Sequence, residues 1–349
     1  AASLTYVIVV VACYVLFAGR GLPVIWITFG LAEVMSFFYF SNIFTRQWAT
    51  VSDASFVKAL FTTSLGIRVI YVVFVYLFYL LLTDRPFEFE ARDSWGYHNE
   101  AVWIVDMFES GTIGYYFNDY LKGVSDSGFP LWLSVIYFFS AKSILVARLV
   151  NAVVSAWMVG LIYKIASRNF GEAAGRISAI LAMLLPTLVY YCGLHNKETV
   201  MVFLLLAFVE RADYFVRQRT IKTWNLLVVI LLGASLFFFR TVLAGAAWFA
   251  LFSSLLLSSD KLIGTARKAI FITWFAIAAA IVISGQIRTE VEGYVKDKGT
   301  NQKSQMENYA TTKGANTLAK YGTASIFMPM MLFAPFPTLV YIEDQPNAM

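Results

Sequence analysis

Asp93 stands in the run Ala91-Arg92-Asp93-Ser94-Trp95-Gly96-Tyr97-His98 and is the residue best suited to acid–base work. A carboxylate at a membrane surface can take the proton of an acceptor hydroxyl. Cations beside it can stabilise the charge that develops on a departing phosphate. The candidates for that second role are Lys197, Arg240 and Arg148, with Lys122 as a further contact near the substrate. Tyr97, His98, Glu88 and Glu90 are the candidate substrate contacts. Glu88 and Glu90 alternate with Phe87 and Phe89, the pattern of a short extended segment with one polar face. This chemistry requires no metal and is compatible with a divalent cation. His98 and His195 are the only histidines, too few for a His-built metal site without carboxylates. Cys13 and Cys192 lie far apart in apolar context, so neither a disulfide framework nor a Cys-type zinc site follows.

Each of these residues also has a plain structural role open to it. Asp93 could cap a helix beginning at Ser94–Trp95 or pair with Arg92. Tyr97 and His98 could simply pack. Lys197-Glu198 could be an interfacial pair with the lysine snorkelling to headgroups. Arg148 lies with Asn151 inside an apolar run. There an arginine costs about 2.5 kcal/mol or more, so a partner is expected, such as an acid of the neighbouring polar stretch.

That stretch, residues 84–130, holds nine of the 22 acidic residues of the chain and separates two apolar runs. Elsewhere the sequence is strongly apolar: 59% hydrophobic, 14% charged, mean hydropathy +0.67. Soluble domains carry about 25% charged residues, so these values mark an integral, all-α, polytopic membrane protein. The net charge of +5 reads as membrane topology and not as a nucleic-acid surface.

Spans are expected at about 4–18, 24–41, 65–83, 143–165, 177–194, 199–215, 224–240, 242–258, 268–285 and 323–341, ten in all. Residues 42–63 read as a polar connector with a short surface helix from Ser52. The run after Pro130 is too short to span and reads as a re-entrant or interfacial helix. Arg46/Lys58, Lys164/Arg168/Arg176, Arg211/Arg217/Arg219/Lys222 and Lys261/Arg267/Lys268 fall in alternate connectors, which assigns those connectors to the cytoplasm. The stretch 84–130, the turns at Gly193–Glu198 and Arg240, and the insertion 286–322 then share the extracytoplasmic face. The expected organisation is an N-terminal hairpin and connector (1–63), a core with the outer loop 84–130 (64–285), an outer loop that could act as a lid (286–322) and a last span (323–349). The chain starts at Ala1 without the charged start of a signal peptide and is expected to lack pieces at both ends.

The order of these features resembles the GT-C superfamily of membrane glycosyltransferases, which includes the protein O-mannosyltransferases and the lipid A aminoarabinose transferase. In that family a span leads into a large outer loop whose early Asp precedes a Tyr, as Asp93 precedes Tyr97. Juxtamembrane helices follow, the second starting at a Pro-Leu pair like Phe129-Pro130-Leu131, and then a span with an early Arg, like Ala147-Arg148-Leu149-Val150-Asn151. The Phe170-Gly171 loop, the Ala-rich span ending at Pro186 and the outer Lys197-Glu198 complete a likeness over about residues 65–240. The resemblance implies a GT-C-like fold and inverting sugar transfer from a polyprenyl-phosphate donor, with Asp93 as general base. It implies a glycan, lipid or protein acceptor, and lipids of a bacterial inner or plasma membrane as surroundings. The chain departs from the family in having two spans before the span that leads into the catalytic loop. It also has Phe129 where the aminoarabinose transferase has a phosphate-binding Lys, which hands that role to Lys197, Arg240 or Lys122. Two other classes fit the composition: a polysaccharide polymerase or ligase using polyprenyl-diphosphate glycans, and a lipid or polysaccharide transporter or flippase.

Overall fold

A computed structural model describes residues 24–88, 92–120, 125–217 and 222–257, with a few isolated positions beyond them. Every regular element among these residues is helical. In chain order they are α1 (Val24–Gln47), α2 (Asp53–Thr83), α3 (Arg92–Glu109) and the single turn α4 (Ile113–Tyr115), which runs on into a π turn at Tyr116–Tyr120. Then follow α5 (Gly128–Ser140), α6 (Ile144–Phe170), α7 (Glu172–Leu184), α8 (Pro186–Gly193), α9 (Glu198–Arg217), α10 (Thr223–Phe239) and α11 (Thr241–Leu257). The chain divides into two compact units, residues 1–47, 184–187 and 280–349 in one, and 48–183 and 188–279 in the other. In the first, α1 buries Val34, Phe37 and Ser41, spaced three and four apart as one helical face requires. The candidate site belongs wholly to the second unit.

Among the described residues two helices, α2 and α6, are long and apolar enough to cross a membrane, and a third crossing results if α7 and α8 count as one broken span. This is in keeping with an α-helical membrane protein, but not with ten spans. The reasons are local. Any 18-residue stretch of α9 contains Glu210, Arg211 and Asp213, which ion pairs hold at one end of the unit. The 17 residues of α10 reach only ~25 Å against a hydrocarbon core of ~30 Å. The expected span 177–194 is broken between Leu184 and Pro186, where the axis bends by 47°, because proline has no N–H to continue the ladder. The expected spans at 4–18, 268–285 and 323–341, and the insertion 286–322, lie outside the described residues.

The connector 42–63 also differs from expectation. The surface helix from Ser52 and the span that follows are one unbroken helix of 31 residues, α2. Its buried Arg68 donates from Nε to Ser155 Oγ (2.7 Å), and from Nη1 to Ser64 Oγ (2.6 Å) and to the Met183 carbonyl (3.2 Å). A cation is favoured at a helix C-terminus, where carbonyls lack N–H partners. Arg68 thus fastens α2 to α6 and to the end of α7.

Polar networks close the two ends of α6. At its C-terminal end Arg168 binds Glu210 (2.5 Å) and Asp213 (3.0 Å), and Asp213 binds Arg217 (2.9 Å). Close by in sequence, Arg176 binds Glu172 (2.7 Å), Asp53 (2.6 Å) and the carbonyls of Trp48 and Val51. Gly171, at φ +90°, supplies the reversal from α6 to α7 that a side chain would strain. At the other end of α6 stands Arg148. Twenty residues of helix separate it from Arg168, ~30 Å, about the thickness of a hydrocarbon core.

Candidate functional site

The Arg148 end of the unit gathers α3, α5, the start of α6, the turn between α8 and α9, and the α10–α11 junction. One apolar cluster lies beneath them: Ala101 and Val105 of α3, Phe129, Leu133 and Tyr137 of α5, Ala147 of α6, Val200 of α9 and Phe239 of α10. Tyr97, Ala101 and Val105 recur every four residues and so lie on the face of α3 that meets α5; the Tyr97 ring stands edge-on to Phe129 at 5.1 Å. A Cβ on Gly128 would come within 2.9 Å of Phe238 and Phe239, so the start of α5 depends on a residue without one. Fully burying a ring such as Phe129 is worth about 2–3 kcal/mol.

Asp93 is exposed in the first turn of α3. It is the second residue of the helix and not its cap, so the N-terminal dipole favours its carboxylate directly. Beside it, burial pushes the Tyr97 hydroxyl up from its ordinary pKa, with Lys197 pulling it back and Asp126 and Asp93 adding to the rise. Lys197 is nearly buried, its ammonium 5.8 Å from the centre of the Tyr97 ring and bonded to Asp126. Burial works against that charge, but Asp126 and Tyr97 outweigh it and hold the lysine above its usual range. Burial likewise raises the Glu198 carboxyl, which senses Lys197, Asp93 and Arg240. Residues distant in sequence thus come within electrostatic reach here: Tyr97 of Lys197, Asp126 and Asp93, and Glu198 of Lys197, Asp93 and Arg240. Arg240 is half-buried in extended conformation between α10 and α11.

Glu88 lies on the other side of the α3 N-terminus. The Ser94 hydroxyl donates to its carboxylate and lies 2.9 Å from the Asn196 side chain. A hydroxyl has one proton, so with Glu88 taking it the Asn196 amide must turn its N–H₂ toward Ser94. Arg148 is fully buried; Nη2 donates to the Pro86 carbonyl (2.5 Å) and lies 3.8 Å from Glu88. Arg148 thus ties the approach to α3 onto α6. Phe87 packs among Trp95 (5.0 Å, stacked), His98 and His195, and Arg85 lies over Trp95 at 5.0 Å.

His98 is half-buried, its Nδ1 2.7 Å from the Tyr137 hydroxyl, which is itself 3.0 Å from His195 Nε2. Burial lowers the His98 pKa. It lowers that of His195 much further, with help from Arg148 and His98. Glu90 and Lys122 lie outside the described residues. Among the described residues no three His, Cys, Asp or Glu side chains are grouped to hold a metal ion.

The sequence singled out neither Tyr137, Asp126, Ser94 nor Asn196. Tyr137 sits in an apolar run and reads as core, which its ring is; only its hydroxyl belongs to the site. Asp126 carried a faint signal, an acid two residues before the Gly-Phe-Pro start of α5. Comparison with protein-family models, with curated proteins and with solved structures finds no match to this chain.

Proposed function

We propose that the chain is a membrane glycosyltransferase of GT-C type, moving a sugar from a polyprenyl-phosphate donor to an acceptor hydroxyl at the extracytoplasmic face. The observation that carries this reading is a nearly buried ammonium, Lys197, over the ring of Tyr97, one helical turn along α3 from the exposed carboxylate Asp93. A base open to an acceptor next to a cation shielded from water suits a reaction that removes a proton at one point and develops phosphate charge at another.

In this scheme the acceptor oxygen attacks the anomeric carbon as its proton passes to Asp93. The bond from that carbon to the phosphate oxygen breaks on the opposite side, so configuration inverts. The electron pair leaves on polyprenyl phosphate, whose added charge Lys197 and Arg240 stabilise. Arg148 serves by holding the segment that leads to Asp93, and Tyr97 and His98 border the sugar.

The test is direct. Purified protein in vesicles receives polyprenyl-monophosphate sugars labelled in the sugar, and release of polyprenyl phosphate is followed together with label transfer. Transfer from monophosphate donors supports the reading. Use of diphosphate-linked glycans alone, or uptake of label without cleavage, favours a polymerase or a transporter.

A further inference from the structure

The Tyr137 hydroxyl lies between two imidazoles, 2.7 Å from His98 Nδ1 and 3.0 Å from His195 Nε2. Tyr137 and His195 are both fully buried, and their rings lie within 14° of parallel. His195 is enclosed by Phe87, Phe129, Tyr137 and His98, with Arg148 of α6 a positive charge that acts on it and Glu88 the carboxylate facing Arg148.

A phenol has one proton, so it donates to one of these nitrogens and accepts from the other. That leaves two arrangements. In one, His195 Nε2–H donates to Tyr137, which donates to His98 Nδ1. In the other every bond reverses, and His195 carries its proton on Nδ1. The Nδ1 atom of His195 is buried with no hydrogen-bond partner. The second arrangement therefore strands a buried N–H, while the first leaves only a lone pair. Orphaned buried N–H groups are the rarer of the two. The positive charge of Arg148 also favours a lone pair on His195 over a further proton. The first arrangement prevails, and it fixes the proton of His98 on Nε2, the nitrogen the relay does not use.

Protonating His98 would then cost more than its own desolvation. The proton would enter at Nδ1, against the Tyr137 O–H; the hydroxyl would have to turn to His195, whose own proton would have to move to the partnerless Nδ1. We propose that Tyr137 and His195 are positioning residues that keep His98 a neutral, Nε2-protonated imidazole, so that it meets the substrate as an N–H donor and leaves the general-base role to Asp93. Its meeting a substrate rests on the transferase reading; the state of the ring does not. The substrate atom facing His98 is an acceptor oxygen, of a phosphoryl group or a sugar.

With only two histidines in the chain, ring ¹⁵N resonances of this 349-residue chain in lipid nanodiscs read this state without substrate. At pH 7 both rings are expected as the Nε2–H tautomer, so no assignment is needed. Tyr137→Phe should turn His98 into a mixture of tautomers and raise its titration midpoint. His195→Gln, which keeps an N–H donor toward Tyr137, should preserve the His98 tautomer, whereas His195→Leu should not. A wild-type ring protonated on Nδ1, or a Tyr137→Phe protein with an unaltered His98 tautomer, would overturn the relay. The wild-type spectrum decides even if a variant fails to fold. Protein with the expected tautomers that transfers no sugar would overturn the transferase reading alone; active protein with an Nδ1–H ring would overturn the relay alone.

Discussion

Arg148 and Pro86 are 62 residues apart, yet the guanidinium of one donates to the carbonyl of the other at 2.5 Å. The bond fixes the exit of α2 against the first turns of α6, and so fixes where the chain enters α3 and presents Asp93. Arg148 Nε and Nη1 are buried without a hydrogen-bond partner, and Glu88 supplies the countercharge at 3.8 Å.

Arg148→Ala should therefore destabilise the protein by about 3–5 kcal/mol, since it leaves Glu88 and the Pro86 carbonyl without their partner. Thermal unfolding in detergent measures it. A loss well below this range would mean that Arg148 does not hold the segment.

The buried histidines set a pH dependence. A histidine whose folded pKa is depressed binds fewer protons folded than unfolded, so stability is lost as pH falls below the ordinary value of 6.5. The raised carboxyls of Glu100 and Glu198 act with opposite sign, gaining stability as pH falls toward the usual carboxylate range. The comparison of wild type with His195→Gln isolates the histidine: the stability gap should shift in favour of the variant between pH 6.5 and 5. Parallel curves over that interval would refute the depressed pKa.

The turn from α5 to α6 places Ala141 at φ 51° and Lys142 at φ 63°, and the Lys142 N–H closes on the Tyr137 carbonyl at 3.0 Å. A left-handed residue with a Cβ costs roughly 1–2 kcal/mol. Ala141→Gly should recover about 1 kcal/mol as a higher unfolding temperature, and an unchanged or lower one contradicts the strain.

Lys197 is held by Asp126. In the proposed reaction the donor phosphate competes with that carboxylate. Asp126→Asn should lower the KM for the donor and Lys197→Met should raise it severalfold, as initial rates against donor concentration would show. Equal KM values in all three proteins would remove Lys197 from the phosphate site.

The helices themselves were largely legible from apolar runs and breakers: Pro130, Gly171, Pro186 and Arg240 all stand at or beside helix boundaries. Continuity was not. Asp53 and Lys58 made the start of α2 look like a connector, because hydropathy registers charge and not the helix that carries charge out of the apolar zone. The count of crossings failed similarly at α9, where Glu210 and Asp213 are satisfied by Arg168 from another helix. Of the candidate site, Asp93, Tyr97, Lys197 and Glu198 converge because each stands at the same end of its element. Arg148 lies deeper, fully buried and bonded to the Pro86 carbonyl, and sequence position gives depth only roughly. The relay through Tyr137 was hidden because a buried tyrosine looks the same in sequence whether its hydroxyl is idle or shared.

Asp93 is proposed as the base, and sugar transfer by Asp93→Asn protein is the decisive measurement of that role. The substitution keeps shape and removes the proton acceptor from an exposed position, so insertion and unfolding temperature should match wild type. With donor and acceptor saturating, kcat is expected to fall by at least about 100-fold, the lower range for loss of a positioned base. A correctly folded Asp93→Asn protein that transfers sugar at the wild-type rate would contradict the account.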